Sequence, residues 1–115
     1  MGDRGNVEMV YEGEKKIYLY THWNGSELPG IVRSALIRGK DRWDDPAYLA
    51  RIIFCEMIQD SVLDETGYGI APYMLDNQHP VISVRCYPEQ SITIKSVGQW
   101  SFEEFIDKQF EDLPS

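Results

Sequence analysis

Apolar and polar residues alternate along several stretches of the chain, which is the pattern of strands that bury one face. The strands predicted in this way are residues 6–11, 16–23, 68–74, 81–87 and 91–97. The first two flank the turn sequence Glu12-Gly13-Glu14 and predict a hairpin, and the last two predict a second pair. Gly69 and Pro72 weaken the third strand and place it at a sheet edge or a bulge.

Other stretches carry apolar residues at helical spacing. In the first, Ser26 is a suitable N-cap and Gly39 a suitable C-terminal glycine. Its apolar stripe consists of Leu28, Ile31, Val32, Ala35 and Leu36. The second begins with Asp45 as N-cap and Pro46 in the first turn, and its pattern runs to about Leu63. Because this helix is apolar over much of its circumference, we expect it to be the central one.

A last helix opens at Ser101 with two agreeing signals. Ser101 and Glu104 form a capping box, Trp100 and Phe105 form a hydrophobic staple, and the apolar face extends to Phe110. The resulting order is β-β-α-α-β-β-β-α. It predicts one α+β domain, residues 1–115, in which an antiparallel sheet of about five strands packs three helices on one face.

Charge and composition narrow the possible partners. The formal net charge is −8, and an acidic surface repels nucleic acid polymers and anionic membranes. The chain has neither an apolar run as long as a membrane span nor a signal-peptide pattern, so a cytoplasmic protein is predicted. Cys55 and Cys86 lie in apolar patterns and are predicted to be buried free thiols. Because no metal-ligand spacing or cofactor motif is present, neither a metal nor a cofactor is expected.

The strand-to-helix corner Thr21–Ser26 is the first candidate site. Free backbone N–H groups at a helix N-terminus bind anions, and His22 adds a proton-transfer group. Asn24 and Ser26 add hydrogen bonds. The same residues also fit an ordinary capped turn with a hydrogen-bonded histidine, and both interpretations stay open.

The connector Arg38–Asp45 is the second candidate. Here Arg38 or Arg42 is suited to hold a phosphate while Trp43 stacks on a base. In the alternative interpretation the charges form a solvated loop, and Trp43 seals the core.

The segment Asp64–Gly69 is the third candidate. Glu65 is a possible general base and Tyr68 a possible stacking residue. A helix end followed by an edge strand explains the same segment without a ligand.

The fourth candidate is the sheet face opposite Ile17 and Leu19. Side chains predicted to share it are Tyr18, Tyr20 and His22 and, if the second hairpin aligns with them, Val81, Ser83, Arg85 and Tyr87. A tyrosine-rich face without a covering helix suits a planar ligand or a protein partner. Tyrosine also favours outer strand faces for its β propensity alone.

Several segments stand out together: Gly2–Val7, Tyr18–Trp23, Arg42–Asp45, Tyr48–Phe54 and Glu65–Ile70. In combination they resemble a family of short uncharacterised bacterial and phage proteins, which has no established activity. The resemblance implies that these segments work as a unit. It also permits the hypothesis of a phage-type protein that sequesters a host nucleotide signal.

The function predicted first is the binding of a nucleotide-like small molecule. The expected ligand-binding residues are the stacking side chains Trp23, Trp43 and Tyr68, the cations Arg4 and Arg42, and the hydrogen-bonding side chains His22, Asn24 and Ser26. Antiparallel helices would place the two helix N-termini at opposite ends. The pocket then assembles only if the connector Gly39–Asp44 folds back along the first helix or if a second subunit supplies the other half. We favour the second route and expect a homodimer with a composite pocket.

Two other functions stay open. One is a hydrolase or phosphodiesterase with His22 as acid/base and Asp44 or Glu65 as its partner. The other is a protein–protein inhibitor or adaptor that uses the acidic surface and the tyrosine-rich face. Binding is favoured over catalysis, because the sequence contains no catalytic motif.

Overall fold

The computed structural model describes residues 2–87 and 89–107. Its strands in these residues are β1 (Gly5–Val10), β2 (Lys16–Thr21), β3 (Tyr68–Ala71), β4 (Ile82–Arg85), β5 (Ser91–Ile94) and β6 (Gly98–Ser101). Its α-helices are α1 (Leu28–Arg38), α2 (Pro46–Ile58) and α3 (Phe102–Ile106). The predicted α+β class is therefore confirmed.

The strands form one six-stranded sheet in the order β3-β2-β1-β4-β5-β6. Both predicted hairpins are present, and β3 lies at an edge as expected. The predicted antiparallel sheet of about five strands is only partly right, and the structure differs from it in two respects. First, β1 and β4 are parallel, with Val7 opposite Ile82. Second, a turn at Ser96, whose φ is 68°, ends β5 early and allows Gly98–Ser101 to form a sixth strand.

The segment 72–81 produces the parallel pair, because it leads from the edge strand β3 past β2 and β1 to β4. Asn6, which is fully buried, holds this segment. Its side-chain amide nitrogen lies 3.2 Å from the carbonyl oxygens of Leu75 and Asp76, and its Oδ1 accepts a hydrogen bond from the Leu75 N–H at 3.3 Å. The alternation of residues within a strand carries no information on such a long-range contact. The parallel pairing was therefore not predicted, and an antiparallel sheet was expected.

The helices cover one face of the sheet. The predicted stripe of α1 is buried, and α2 contributes Leu49, Ala50, Ile53 and Met57 to the same core. The strands meet them with Val7, Met9, Leu19, Ile82, Val84, Ile92 and Ile94. Among the described residues no helix packs on the opposite face, which holds the polar half of the alternating pattern.

The second helix differs from its prediction. It ends at Ile58 rather than near Leu63, because Gln59 has a φ of 43° and leaves the helical conformation. Leu63 is 90% exposed, so the apolar residues beyond the helix are not core residues. Cys55 is exposed on α2 instead of buried. Cys86 is a buried free thiol as predicted, and burial raises its pKa to about 11.

The N-cap predictions have mixed outcomes. Asp45 caps α2 by accepting a hydrogen bond from the Tyr48 N–H, and Ser101 caps α3 through a capping box. Ser26 does not cap α1, since Gly25–Glu27 form a 3₁₀ turn and the Ser26 hydroxyl bonds elsewhere. The predicted position Phe110 lies outside the described residues. None of the helices in residues 2–87 and 89–107 has the length and apolar character needed to cross a membrane.

Candidate functional site

The corner between β2 and α1 gathers most of the residues that were predicted to bind a ligand. Thr21, at the end of β2, lies opposite Gly5 of β1 and opposite Tyr68 of β3. This register brings the predicted residues Arg4, His22, Trp23, Asn24, Ser26 and Tyr68 to one end of the sheet.

Asp3 occupies the anion-binding position of this corner. One of its carboxylate oxygens accepts hydrogen bonds from the Ser26 N–H at 3.1 Å and from the Ser26 hydroxyl at 2.5 Å. The other carboxylate oxygen contacts Nε2 of His79. The hydrogen bond from Ser26, and then that from His79, hold the pKa of Asp3 below its usual value. The chain thus supplies its own anion to the N-terminal turn at which we expected a ligand.

His22 is also held by its neighbours. Its N–H donates to the Gly67 carbonyl at 2.8 Å, and its carbonyl accepts from the Asp3 N–H at 2.7 Å. In its ring, Nδ1 lies 3.0 Å from the Tyr20 hydroxyl. A Cβ added at Gly2 would lie 2.8 Å from Nε2, so the N-terminal segment packs closely on the imidazole. These contacts fit the interpretation of a hydrogen-bonded histidine in a structured turn.

Of the remaining corner side chains, some are hydrogen-bonded or packed within the chain and one is largely exposed. The Asn24 amide donates to the Met57 carbonyl at 3.1 Å and thereby joins the corner to the end of α2. Tyr68 is partly buried against the core. Trp23 is 55% exposed, with its ring edge-on to His22 at a centroid distance of 4.5 Å. Trp23 therefore retains a ring surface that a ligand or partner can contact.

Arg42 and Trp43 lie beyond the opposite end of α1, whose 11 residues span about 16 Å. Trp43 is only 9% exposed, and its indole N–H donates to the Leu36 carbonyl at 2.9 Å. Its placement is that of a core residue, the second of the two roles that its sequence context allowed. Arg42 lies 4.9 Å from the ring centroid of Tyr48. The structure does not bring either residue to the corner.

A second concave site lies on the sheet face opposite α1 and α2, and we call it the open-face groove. Its volume is about 350 Å³. The lining residues come from neighbouring strands and from the segments that join them: Glu8, Lys16, Tyr18, Met74, Val81, Ser83, Arg85, Thr93 and Lys95. The register explains the convergence, because Glu8 lies opposite both Tyr18 and Ser83, and Ser83 lies opposite Thr93.

Glu8 organises the centre of the groove. Its carboxylate accepts hydrogen bonds from the Tyr18 hydroxyl at 2.6 Å and from the Ser83 hydroxyl at 2.8 Å. The Lys16 ammonium lies 3.8 Å from the same carboxylate. Because the phenol donates to this anion, the pKa of Tyr18 rises to about 12. Both oxygens of Glu8 are thus engaged within the chain.

Cationic side chains border the groove. Arg85 forms two hydrogen bonds with the Glu14 carboxylate, at 2.6 and 3.0 Å, which lower the pKa of Glu14 and raise that of Arg85. Lys16 and Lys95 complete the cationic border. In the part of the chain that the structure describes, no group of three His, Cys, Asp or Glu side chains is arranged to hold a metal ion.

Sequence reasoning found only part of this groove. The proposed tyrosine-rich face already contained Tyr18, Val81, Ser83 and Arg85. It omitted Lys16, which the alternation of β2 places beside Tyr18. Alternation also places Glu8, Thr93 and Lys95 on the outer faces of the two predicted hairpins. No local signal predicts the parallel pairing of β1 with β4 that joins these faces, or the path of segment 72–81 that brings Met74 to them.

Comparisons with models of known protein families, with curated proteins and with solved structures gave no match. The resemblance of several segments to short bacterial and phage proteins therefore supplies no activity. What this chain does has to be argued from its own side chains.

Proposed function

We propose that the protein binds a small anionic molecule in the open-face groove. The observation that carries this proposal is the convergence of three cations, Lys16, Arg85 and Lys95, on a groove that also contains hydroxyl groups. A volume of about 350 Å³ lies within the range of small-molecule sites. Phosphate and carboxylate groups are the ligands that such donors recognise.

Electrostatics favours an anion at this place in spite of the acidic chain. The whole sequence carries a net charge of −8, whereas the groove lining contains three cations and one carboxylate, Glu8. That carboxylate already accepts hydrogen bonds from Tyr18 and Ser83, so its charge is partly compensated. The Glu14 partner of Arg85 is 67% exposed, and exposed ion pairs contribute little stability. A ligand phosphate can therefore displace Glu14 at low cost.

The groove is favoured over the corner because its lysine side chains remain accessible to a ligand, whereas the polar groups of Ser26 in the corner are already bonded within the chain. At the corner, Asp3 already satisfies the Ser26 N–H and hydroxyl, and Trp43 is buried elsewhere. In the groove, Lys95 is exposed and Lys16 retains 41% side-chain exposure. The nucleotide-like ligand predicted from the sequence is retained as a proposal, with its phosphate assigned to the groove.

The experiment is a calorimetric titration of the protein with pyrophosphate, preceded by native mass spectrometry to detect co-purified small molecules. The test variants are Lys16→Gln, Arg85→Gln and Lys95→Gln, and the matched control is Arg51→Gln, an exposed cation on α2. We expect each test variant to bind roughly tenfold more weakly, and the control to bind normally. If wild type does not bind pyrophosphate, or if the control loses as much affinity, the proposal fails.

Catalysis is less well supported. Of the two partners considered for His22, Asp44 lies beyond the far end of α1. Glu65 lies two residues before Gly67, and the Gly67 carbonyl accepts a hydrogen bond from the His22 N–H. Of the two pairs, only His22 and Glu65 therefore lie at the same end of the molecule. A separate assay addresses this alternative, since turnover of a phosphate ester that stops in His22→Ala would favour the enzyme.

We also propose a second candidate function, association of two copies of this chain through β3. Large apolar side chains that are half-exposed or more lie in β3 and in the segments before and after it in the sequence: Val62, Leu63, Ile70, Tyr73 and Met74. In an antiparallel ladder the backbone groups of alternate residues point away from the neighbouring strand. Since the His22 N–H bonds to Gly67, the outward residues of β3 are Tyr68 and Ile70. They are symmetric about Gly69, as a two-fold axis requires.

The dimer is tested by light scattering at increasing protein concentration. Ile70→Pro removes an outward N–H that β2 does not use, whereas Tyr87→Ala removes an exposed aromatic side chain away from this edge. We expect wild type to dimerise, Ile70→Pro to be monomeric and Tyr87→Ala to behave as wild type. A monomeric wild type at every concentration would exclude this second function.

A further inference from the structure

A second hollow adjoins the open-face groove. Its volume is about 410 Å³, and its lining consists of Tyr20, Met74, Leu75 and Asp76. Met74 lines both spaces and forms the boundary between them. Tyr18 and Tyr20 lie two residues apart on the same face of β2, so the two hollows follow each other along this strand at a spacing of about 7 Å.

The two hollows differ in chemistry. The groove contains cations and hydroxyls, whereas the second hollow contains an aromatic ring, two apolar side chains and one carboxylate. The Asp76 side chain is 80% exposed, and its ion pair with Arg4 is long, at 3.8 Å. A carboxylate in this position repels a second anion and accepts hydrogen bonds from N–H groups. The second hollow therefore suits an uncharged planar group that carries N–H donors.

Met74 is held at this boundary by the crossover segment. The next residue, Leu75, forms backbone hydrogen bonds with the buried side chain of Asn6 through both its N–H and its carbonyl. Met74 itself is 50% exposed, and a methionine thioether makes favourable contacts with aromatic rings. A planar group in the second hollow would lie between this thioether and the Tyr20 ring.

We infer that the ligand spans both hollows, with its anionic group in the open-face groove and a planar, N–H-bearing ring between Tyr20 and Met74. This is the architecture of a nucleoside monophosphate, in which the sugar passes Met74. The inference rests on the proposed function for the anionic half and adds Tyr20, Met74 and Asp76 as the residues that determine specificity for the ring. Asp76 would favour bases with an exocyclic amino group over those without one.

The test compares the affinities of the four common nucleoside 5′-monophosphates with that of ribose 5-phosphate, which has no ring to place. We expect at least one nucleotide to bind about fivefold or more tightly than ribose 5-phosphate, because a stacked base contributes at least this factor. Tyr20→Ala should remove the advantage and leave ribose 5-phosphate binding unchanged, because Tyr20 lines the second hollow and not the groove. Met74→Ala should also reduce the advantage of nucleotides over ribose 5-phosphate. Tyr20→Phe keeps the ring and should retain the advantage, which separates stacking from the hydrogen bond to His22.

Tyr73→Ala is the matched control, because Tyr73 is an exposed aromatic residue of the same segment and does not line either hollow. Equal affinities for all nucleotides and ribose 5-phosphate would overturn the two-hollow inference and leave the anion site standing. Loss of ribose 5-phosphate binding in Tyr20→Ala would overturn it too, since the ring would then serve the anionic half. If pyrophosphate binds but neither nucleotides nor ribose 5-phosphate do, only the two-hollow inference fails; if none of them binds, the proposed function fails as well.

Discussion

Asp3 and Ser26, 23 residues apart in the sequence, are joined by two hydrogen bonds from Ser26 to one oxygen of the Asp3 carboxylate. The carboxylate thereby caps the 3₁₀ turn that precedes α1, a position that a local side chain takes in most helices. The contact fastens the N-terminal segment to the corner of the fold and leaves that corner without a free anion site.

This contact predicts a specific dependence of stability on acid. The folded-state pKa of Asp3 is lowered below the ordinary 3.8, so its stabilisation is fully present above about pH 4 and is lost as the pH falls through the folded value. Asp3→Asn should therefore be less stable than wild type at neutral pH, and the difference should shrink in acid. Urea unfolding at several pH values measures this, with the exposed Asp41→Asn as control. A constant difference between Asp3→Asn and wild type would contradict the assignment.

Asn6 should be among the most sensitive polar positions. Asn6→Ala leaves the N–H and carbonyl of Leu75 without their partner, and we expect a loss of about 1–3 kcal/mol in the free energy of unfolding. Hydrogen exchange of the Leu75 amide should accelerate at the same time. Gln99→Ala, which removes an exposed amide from β6, serves as control and should change stability by about 0.5 kcal/mol or less. Equal effects at the two positions would show that the crossover is not held by Asn6.

Tyr18 should titrate near pH 12, which is measurable as the phenolate absorbance that disappears in Tyr18→Phe. Glu8→Gln removes the carboxylate to which the phenol donates and should bring this titration back toward the ordinary value of 10. Because the folded-state pKa is raised, the stabilisation is complete below about pH 10 and is lost as the pH rises toward 12. A Tyr18 titration that Glu8→Gln leaves unchanged would disprove the contact.

The two tryptophans at opposite ends of α1 should behave differently. Trp43→Ala removes a buried ring that packs edge-on against Phe102 and should cost about 3–5 kcal/mol. Trp23→Ala removes a mostly exposed ring and should cost about 1 kcal/mol or less. Thermal or urea unfolding of both variants measures these two losses of stability. A small cost for Trp43→Ala would return this residue to the set of ligand-stacking candidates.

The residues themselves predicted much of the local structure. The stripe of α1, the caps at Asp45 and Ser101 and the two hairpins depend on residues that are close in sequence, so spacing and side-chain chemistry are enough to predict them. The wrong predictions concern local patterns that are compatible with more than one structure. The Ser26 side chain is suited to an N-cap, yet its hydroxyl donates a hydrogen bond to the Asp3 carboxylate instead.

Only the tertiary structure decided how distant strands combine. Alternation predicted which residues of each strand face outward, but the parallel pairing of β1 with β4 depends on Asn6 holding a segment about seventy residues further along the chain. That pairing places Ser83 beside Glu8 and brings Arg85 and Lys95 to the groove that contains Lys16. Local spacing determines elements because their contacts are short-range, whereas this groove is assembled by hydrogen bonds between residues that no local pattern relates.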